Sequence, residues 1–207
     1  ILGCLVVVVL LSAASFNFFR GREPKIELNP YQALGIVAAE ETLKLMGDRG
    51  QIVVAAQDTS QYEMLALAAQ LKAFQAAALK KPNVTVALET IAMDPLMMMT
   101  TGGRLPAARF LKMLADYPKA GGIVVFLGFP QLSAQELDAL EHHPAKTVVV
   151  AAYRADYQPL LERRLIDLAI VPRLDALPET TQKPRNLREW LDQEYVILAA
   201  DKPAAPR

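Results

Sequence analysis

The sequence predicts an α/β protein: a three-layer parallel sheet of five to six strands with helices on both faces, preceded by one apolar N-terminal helix. Three observations carry this. Short apolar runs, QIVVAA at 51–56, GIVVFL at 122–127 and TVVVAA at 147–152, have the composition of strands buried on both faces. Segments with helical caps and apolar faces lie between consecutive runs, and that alternation places crossover helices over a parallel sheet. Capping boxes and glycine stops fall at the boundaries the runs imply, so local and global signals agree.

The elements follow in order. Ile1 to Phe19 carries no charge, and Arg20, Arg22 and Lys25 follow it. At about 1.5 Å rise per residue a helix of that length just spans the hydrocarbon core of a bilayer. The expectation is an uncleaved transmembrane anchor. Two alternatives stay open: a signal cleaved near Ala13-Ala14-Ser15, and a lipoprotein signal at Ile1-Leu2-Gly3-Cys4, although that cysteine opens the apolar stretch rather than closing it. Residues 20–29 form a polar linker, and residues 30–207 form a single α/β domain. Asn29-Pro30 reads as a helix start and Gly47 as its stop. Strand one is Gln51 to Ala56. The capping box Ser60 to Glu63 opens a helix to Lys81. Strand two is Val84 to Ile91, and a loop follows at 93–104. A helix over 106–116 leads to strand three, and Ser133 to Glu136 caps a short helix ending near His142. Strand four is Thr147 to Ala152, a helix spans 157–165, and strand five is 168–171. Asn186 caps a last helix before strand six, 195–199. The expected order is Rossmann-like or flavodoxin-like, 2-1-3-4-5, with strand six at or near an edge.

Composition excludes several classes. Lys and Arg total 22, as do Asp and Glu, so no net charge recruits nucleic acid. Cys4 is the only cysteine and precludes an internal disulfide or a cysteine metal site. Neither G-x-x-x-x-G-K-[ST] nor G-x-G-x-x-G is present. His142 and His143 are the only histidines. They sit together at a helix end, where adjacent side chains point apart, so neither a metal site nor a Ser-His-Asp triad is expected. No catalytic constellation is visible, and the expectation is a non-catalytic protein without a cofactor.

The residues over 51–172 resemble type 1 periplasmic binding proteins, the sugar-binding and LacI-like superfamily. The carriers are QIVVAAQDTSQYE, KAFQAAALKKPNVTV, LKMLADYPKAGGIVVFLGFPQLSAQEL and KTVVVAAYRADYQPLLERRLIDLAIVPR. Gly121-Gly122-Ile123-Val124-Val125 is similar to the family's element before a ligand loop. The resemblance implies a substrate-binding, periplasmic or otherwise extracytoplasmic bacterial domain, whereas the basic residues after the apolar segment, taken alone, point to the cytoplasm. The chain departs from the family pattern in supplying one lobe instead of two, in having no helix-turn-helix before strand one, and in carrying the helix at 30–46. A response-regulator reading fails, because Leu127-Gly128-Phe129 stands where a receiver has its phosphate-accepting Asp.

In an open parallel sheet, ligands sit beyond the carboxyl ends of the strands. The loops there nominate Asp58, Thr59, Arg154 and Arg173 to hydrogen-bond a ligand, with Phe129 and Tyr153 as apolar walls. The bland alternative is that Asp58 and Ser60 cap a helix while the arginines pair with carboxylates. Met97, Met98, Met99 and Pro130 are candidate partner contacts, methionine being adaptable. Two functions are weighed. The first is a membrane-anchored module that binds other protein subunits of an envelope assembly and buries Met97 to Met99, Phe129 and Pro130 on association. The second is a small-molecule, sugar-like binding component working as a homodimer of facing single lobes, in which Asp58→Ala and Arg154→Ala abolish ligand-induced stabilisation.

Overall fold

A computed structural model describes residues 26–151, 155–174 and 184–200. The expected anchor at 1–19 lies outside the described residues. Among those described, no helix is long and apolar enough to cross a membrane.

The chain builds seven helices and six strands within these residues: α1 (Asn29–Met46), β1 (Gly50–Gln57), α2 (Leu65–Ala78), β2 (Val84–Ile91), α3 (Pro95–Thr101), α4 (Ala107–Asp116), β3 (Gly122–Val125), α5 (Ala134–Glu141), β4 (Lys146–Val150), α6 (Gln158–Glu162), β5 (Leu168–Pro172), α7 (Leu187–Glu194) and β6 (Tyr195–Ala199). The sheet order is β2-β1-β3-β4-β5-β6, as the alternation predicts. Strands β1 to β5 pair in parallel.

The sheet is mixed, however, and not parallel throughout. Strand β6 runs antiparallel to β5, with Tyr195 opposite Pro172 and Ala199 opposite Leu168. The cause is local. Helix α7 ends at Glu194 and passes directly into Tyr195, so β6 starts beside the carboxyl end of β5. No crossover returns the chain to the other end of the sheet, which a parallel strand requires.

Alternate residues of each central strand face opposite ways. Val53, Ile123, Val125, Val149 and Val171 pack under α4, α5 and α6 with Phe110, Leu140 and Leu161. Ile52, Val54, Val124, Val148 and Ile170 pack under α1, α2 and α7 with Leu34, Phe74 and Leu191. Both faces of the sheet are therefore covered, which is why these strands read as apolar runs with no polar alternation.

The second face positions the site. Helix α1 lies centrally there, flanked by α2 and α7. At Gly35 the α1 backbone meets α2 so closely that an added Cβ would stand 2.2 Å from the Gln70 carbonyl oxygen. At the other end of α1, Gly47 closes the helix with φ of 70°, a left-handed cap that glycine adopts without a Cβ penalty. Met46 then lies over Gly121 and Gly122. A Cβ on Gly122 would meet the Met46 sulfur at 2.6 Å, so this glycine pair seats α1 against the start of β3.

Two boundaries move from expectation. Helix α2 starts at Leu65, not at Ser60, and has no side-chain cap. The Asp58 carboxylate accepts from the Ser60 amide at 2.9 Å, and the Tyr62 hydroxyl bonds the Gln57 amide, so 58–64 is held as a turn. The 93–104 segment is not a plain loop. Asp94 accepts from the Met97 amide at 2.7 Å, Pro95 opens the first turn, and Gly102 closes α3 in the left-handed region with φ of 60°.

Candidate functional site

A cleft of about 690 Å³ opens at the carboxyl ends of β1, β3, β4 and β5. It sits where the chain reverses its direction of progress across the sheet, β2 lying on one side of β1 and β3 on the other. Ligand crevices form at such switch points, because the loops leaving adjacent strands diverge there.

Its floor is apolar. Phe126 and Leu127 continue β3, and Val150 and Ala151 end β4. Phe126 packs edge-to-face on Phe74 of α2, centroids 5.8 Å apart, which ties the floor to the covering helices. One wall comes from α1, with Tyr31 and Leu34, and from the junction of α7 and β6, with Glu194 and Tyr195. The other comes from Gln57, from Leu67 and Gln70 on α2, and from Met98, Gly102 and Gly103 at the end of α3. The polar groups thus converge from five elements on an apolar base, the composition of a small-molecule pocket. Tyr195 is half-buried, and desolvation pushes its phenol up to about 12, with Tyr31 and Glu194 adding to the shift. The hydroxyl therefore stays protonated, and can donate as well as accept, at any ordinary pH.

A second hollow, about 470 Å³, lies at the opposite end of the sheet around Lys44, Lys146 and Arg164. Most of its charges are already matched: Lys44 holds Glu41 at 2.7 Å and Lys146 holds Asp167 at 3.0 Å. His143 nearby accepts from the Ala145 amide through Nδ1, and the His142 Nδ1 lies 2.8 Å from the Asp138 carbonyl oxygen. Among the described residues no group of three His, Cys, Asp or Glu is placed to hold a metal.

The predicted site residues fare unevenly. Asp58 and Thr59 follow Gln57 and are partly exposed, but neither lines the cleft, and the Asp58 carboxylate is engaged by the Ser60 amide. Phe129 is a correction. It is 4% exposed and packs against Phe110 with centroids 5.5 Å apart, on the α4 face of the sheet. The loop turns inward at Gly128, whose φ of 79° and carbonyl bond to the Leu105 amide fold the chain onto that core. Phe129 is thus no ligand wall, and Pro130, buried beside it, offers nothing to a partner. Arg173 donates Nε to the Asp192 carbonyl at 3.1 Å, while its amide donates to Glu194, so it fastens α7 to the end of β5. Tyr153 and Arg154 lie outside the described residues. Of the three methionines, Met98 and Met99 are exposed, Met98 edges the cleft, and Met97 is half-buried.

Sequence reasoning missed Tyr31, Gln70, Glu194 and Tyr195. It sought ligand contacts in the loops after the strands, whereas these residues sit on helices or at the start of the edge strand. The close α1–α2 crossing at Gly35 is what brings Tyr31 and Gln70 to one opening.

No protein-family model matches the chain, and no curated protein matches it by sequence. Solved structures do match. AraP, an arabinose-binding protein from Geobacillus stearothermophilus, aligns with a TM-score of 0.56 at 18% identity, over 84% of this chain and 61% of that one. A sugar-binding protein of a sugar ABC transporter from Bacillus halodurans gives 0.54 at 15% identity, over 84% and 62%. An ABC transporter solute-binding protein from Burkholderia graminis, in complex with D-arabinose, gives 0.52 at 18% identity, over 69% and 47%. The chain spans about half to three fifths of the length of these proteins. Its fold is periplasmic-binding-protein-like.

Proposed function

We propose that this chain is a non-catalytic small-molecule binding module that presents one half of a ligand site. The cleft at the strand ends carries the reading. Five polar side chains converge there on an apolar floor of a size that suits a monosaccharide. The similar solved structures include proteins that bind arabinose, which favours the small-molecule reading over a module that only docks protein partners. An open cleft leaves one side of a ligand in water, so a second lobe facing it completes the enclosure. The exposed apolar side chains of α3, Leu96 at 71% and Met99 at 82%, stand beside the cleft and provide a contact for that lobe. In this account the domain works outside the cytoplasm, held at the membrane by residues 1–19.

The test is thermal stabilisation of the full chain by a panel of neutral and aminated pentoses and hexoses. A ligand at a hundred times its Kd stabilises by about 2.7 kcal/mol, or roughly 5–11 °C in Tm for a domain of this size. Gln70→Leu is expected to abolish the shift while leaving the unliganded Tm within about 1–2 °C. A panel without any stabilising sugar, or a shift that survives Gln70→Leu, would overturn the reading.

A further inference from the structure

We propose that the cleft selects a ligand with a positive charge, an aminated sugar or polyol, and that Glu194 is the specificity residue that reads the charge. The inference rests on the binding function proposed above. Three side chains with acceptor oxygens line the cleft together: the phenols Tyr31 and Tyr195 and the carboxylate of Glu194. They are close enough for Tyr31 and Glu194 each to act on the ionisation of Tyr195. None of the three side chains has a hydrogen bond or ion pair among the described residues, although ion pairs elsewhere on the surface bring Arg163, Lys44 and Lys146 to carboxylates within 3.0 Å.

The described residues lining the cleft include no cation; Glu194 is their one ionised side chain. The neighbouring Arg173 does not line the cleft; its Nε donates to the Asp192 carbonyl oxygen and its backbone amide to the Glu194 carbonyl oxygen. An anionic ligand would therefore bring its charge against a carboxylate that has no ion-pair partner among the described residues, above an apolar floor. A ligand ammonium instead finds a carboxylate and two phenols together. Carboxylate acceptance of N⁺–H is among the stronger hydrogen bonds, and tyrosine faces add cation–π attraction. The opposite wall, with the Gln70 amide, Met64 and Met98, accommodates the hydroxyl-bearing and apolar edges of the same molecule.

The test uses three hexoses that share a skeleton and differ in charge: glucosamine, glucose and glucuronate, titrated calorimetrically into the full chain at pH 7. Glucosamine is expected to bind at least about tenfold more tightly than glucose, and glucuronate not measurably. Glu194→Gln keeps the shape of an exposed side chain, so folding is retained. It is expected to bring glucosamine down to the affinity of glucose and to let glucuronate bind. Glucose binding as tightly as glucosamine, or a preference that survives Glu194→Gln, overturns the charge assignment and leaves the cleft reading standing. No binding of any of the three overturns this inference, and with no stabilisation by any pentose or hexose of the wider panel the cleft reading falls with it.

Discussion

Replacing Gly35 by alanine probes the contact that shapes the cleft. A Cβ at this position would lie 2.2 Å from the carbonyl oxygen of Gln70 and 3.0 Å from both the Gln70 carbonyl carbon and the Phe74 nitrogen. Ordinary contact begins at 3.4 Å, so α1 and α2 must part by roughly 1 Å. The obstacle is backbone and cannot swing aside as a side-chain tip would. Overpacking of this kind costs about 1–3 kcal/mol, more where the neighbours are rigid. Alanine returns about 1 kcal/mol through its better helix propensity. With rigid backbone as the obstacle the upper end, about 3 kcal/mol, applies, so the net loss is about 2 kcal/mol, or roughly 4–8 °C in Tm. Tyr31 and Leu34 ride on one of these helices and Leu67 and Gln70 on the other, so the cleft widens and ligand affinity falls as well. Gly47→Ala is the control. It places a Cβ in open space but at a φ of 70°, which costs about 1–2 kcal/mol without touching the cleft. Calorimetric unfolding and ligand titration of both variants read the difference. A Gly35→Ala protein with unchanged Tm and unchanged affinity would refute the close-crossing argument.

Three further outcomes are expected. Phe74→Ala removes a fully buried ring that buttresses Phe126 on the cleft floor, and denaturant unfolding should show a loss of about 3–5 kcal/mol. The raised Tyr195 phenol, at about 12 when folded, binds its proton more tightly in the native state than the ordinary phenol of the unfolded chain, near 10. Its contribution is thus complete below pH 10 and lost as pH rises to about 12, and Tyr195→Phe should flatten that alkaline decline in a pH series of Tm. Glu136 is held below the usual carboxylate range by its bond to the Ser133 amide; its contribution is present at neutral pH and lost as pH falls through that lowered value, so the protection factors of the α5 amides should fall in acid, and Ser133→Ala, which removes the hydroxyl that accepts from the Glu136 amide, should lower them at neutral pH.

The parts of the fold that sequence reveals are those with strictly local causes. Ser133 and Glu136 form the reciprocal cap their spacing implies, Asn186 caps α7 through the Glu189 amide, and Gly47 stops α1. The strand runs register because both faces of the sheet are covered. What stays hidden depends on competition between weak signals. Ser60 to Glu63 has the letters of a capping box, yet Asp58 reaches the Ser60 amide first and holds a turn. Asp94-Pro95 and Gly102 do bracket α3, but a seven-residue helix with no buried side chain shows no apolar period. The cleft is less legible still, since Tyr31 and Glu194 lie 163 positions apart in sequence and meet only because α1 and α7 pack side by side on one face of the sheet.

Ligand is proposed to enter the cleft at the carboxyl ends of the strands. Amide hydrogen exchange of the full chain, with and without a saturating stabilising sugar from the panel, tests it most directly. Added protection is expected at Tyr31 to Leu34, at Gln57, around Gln70 and at Glu194 and Tyr195. Protection centred on the hollow around Lys44, Lys146 and Arg164, with none at those residues, would contradict it.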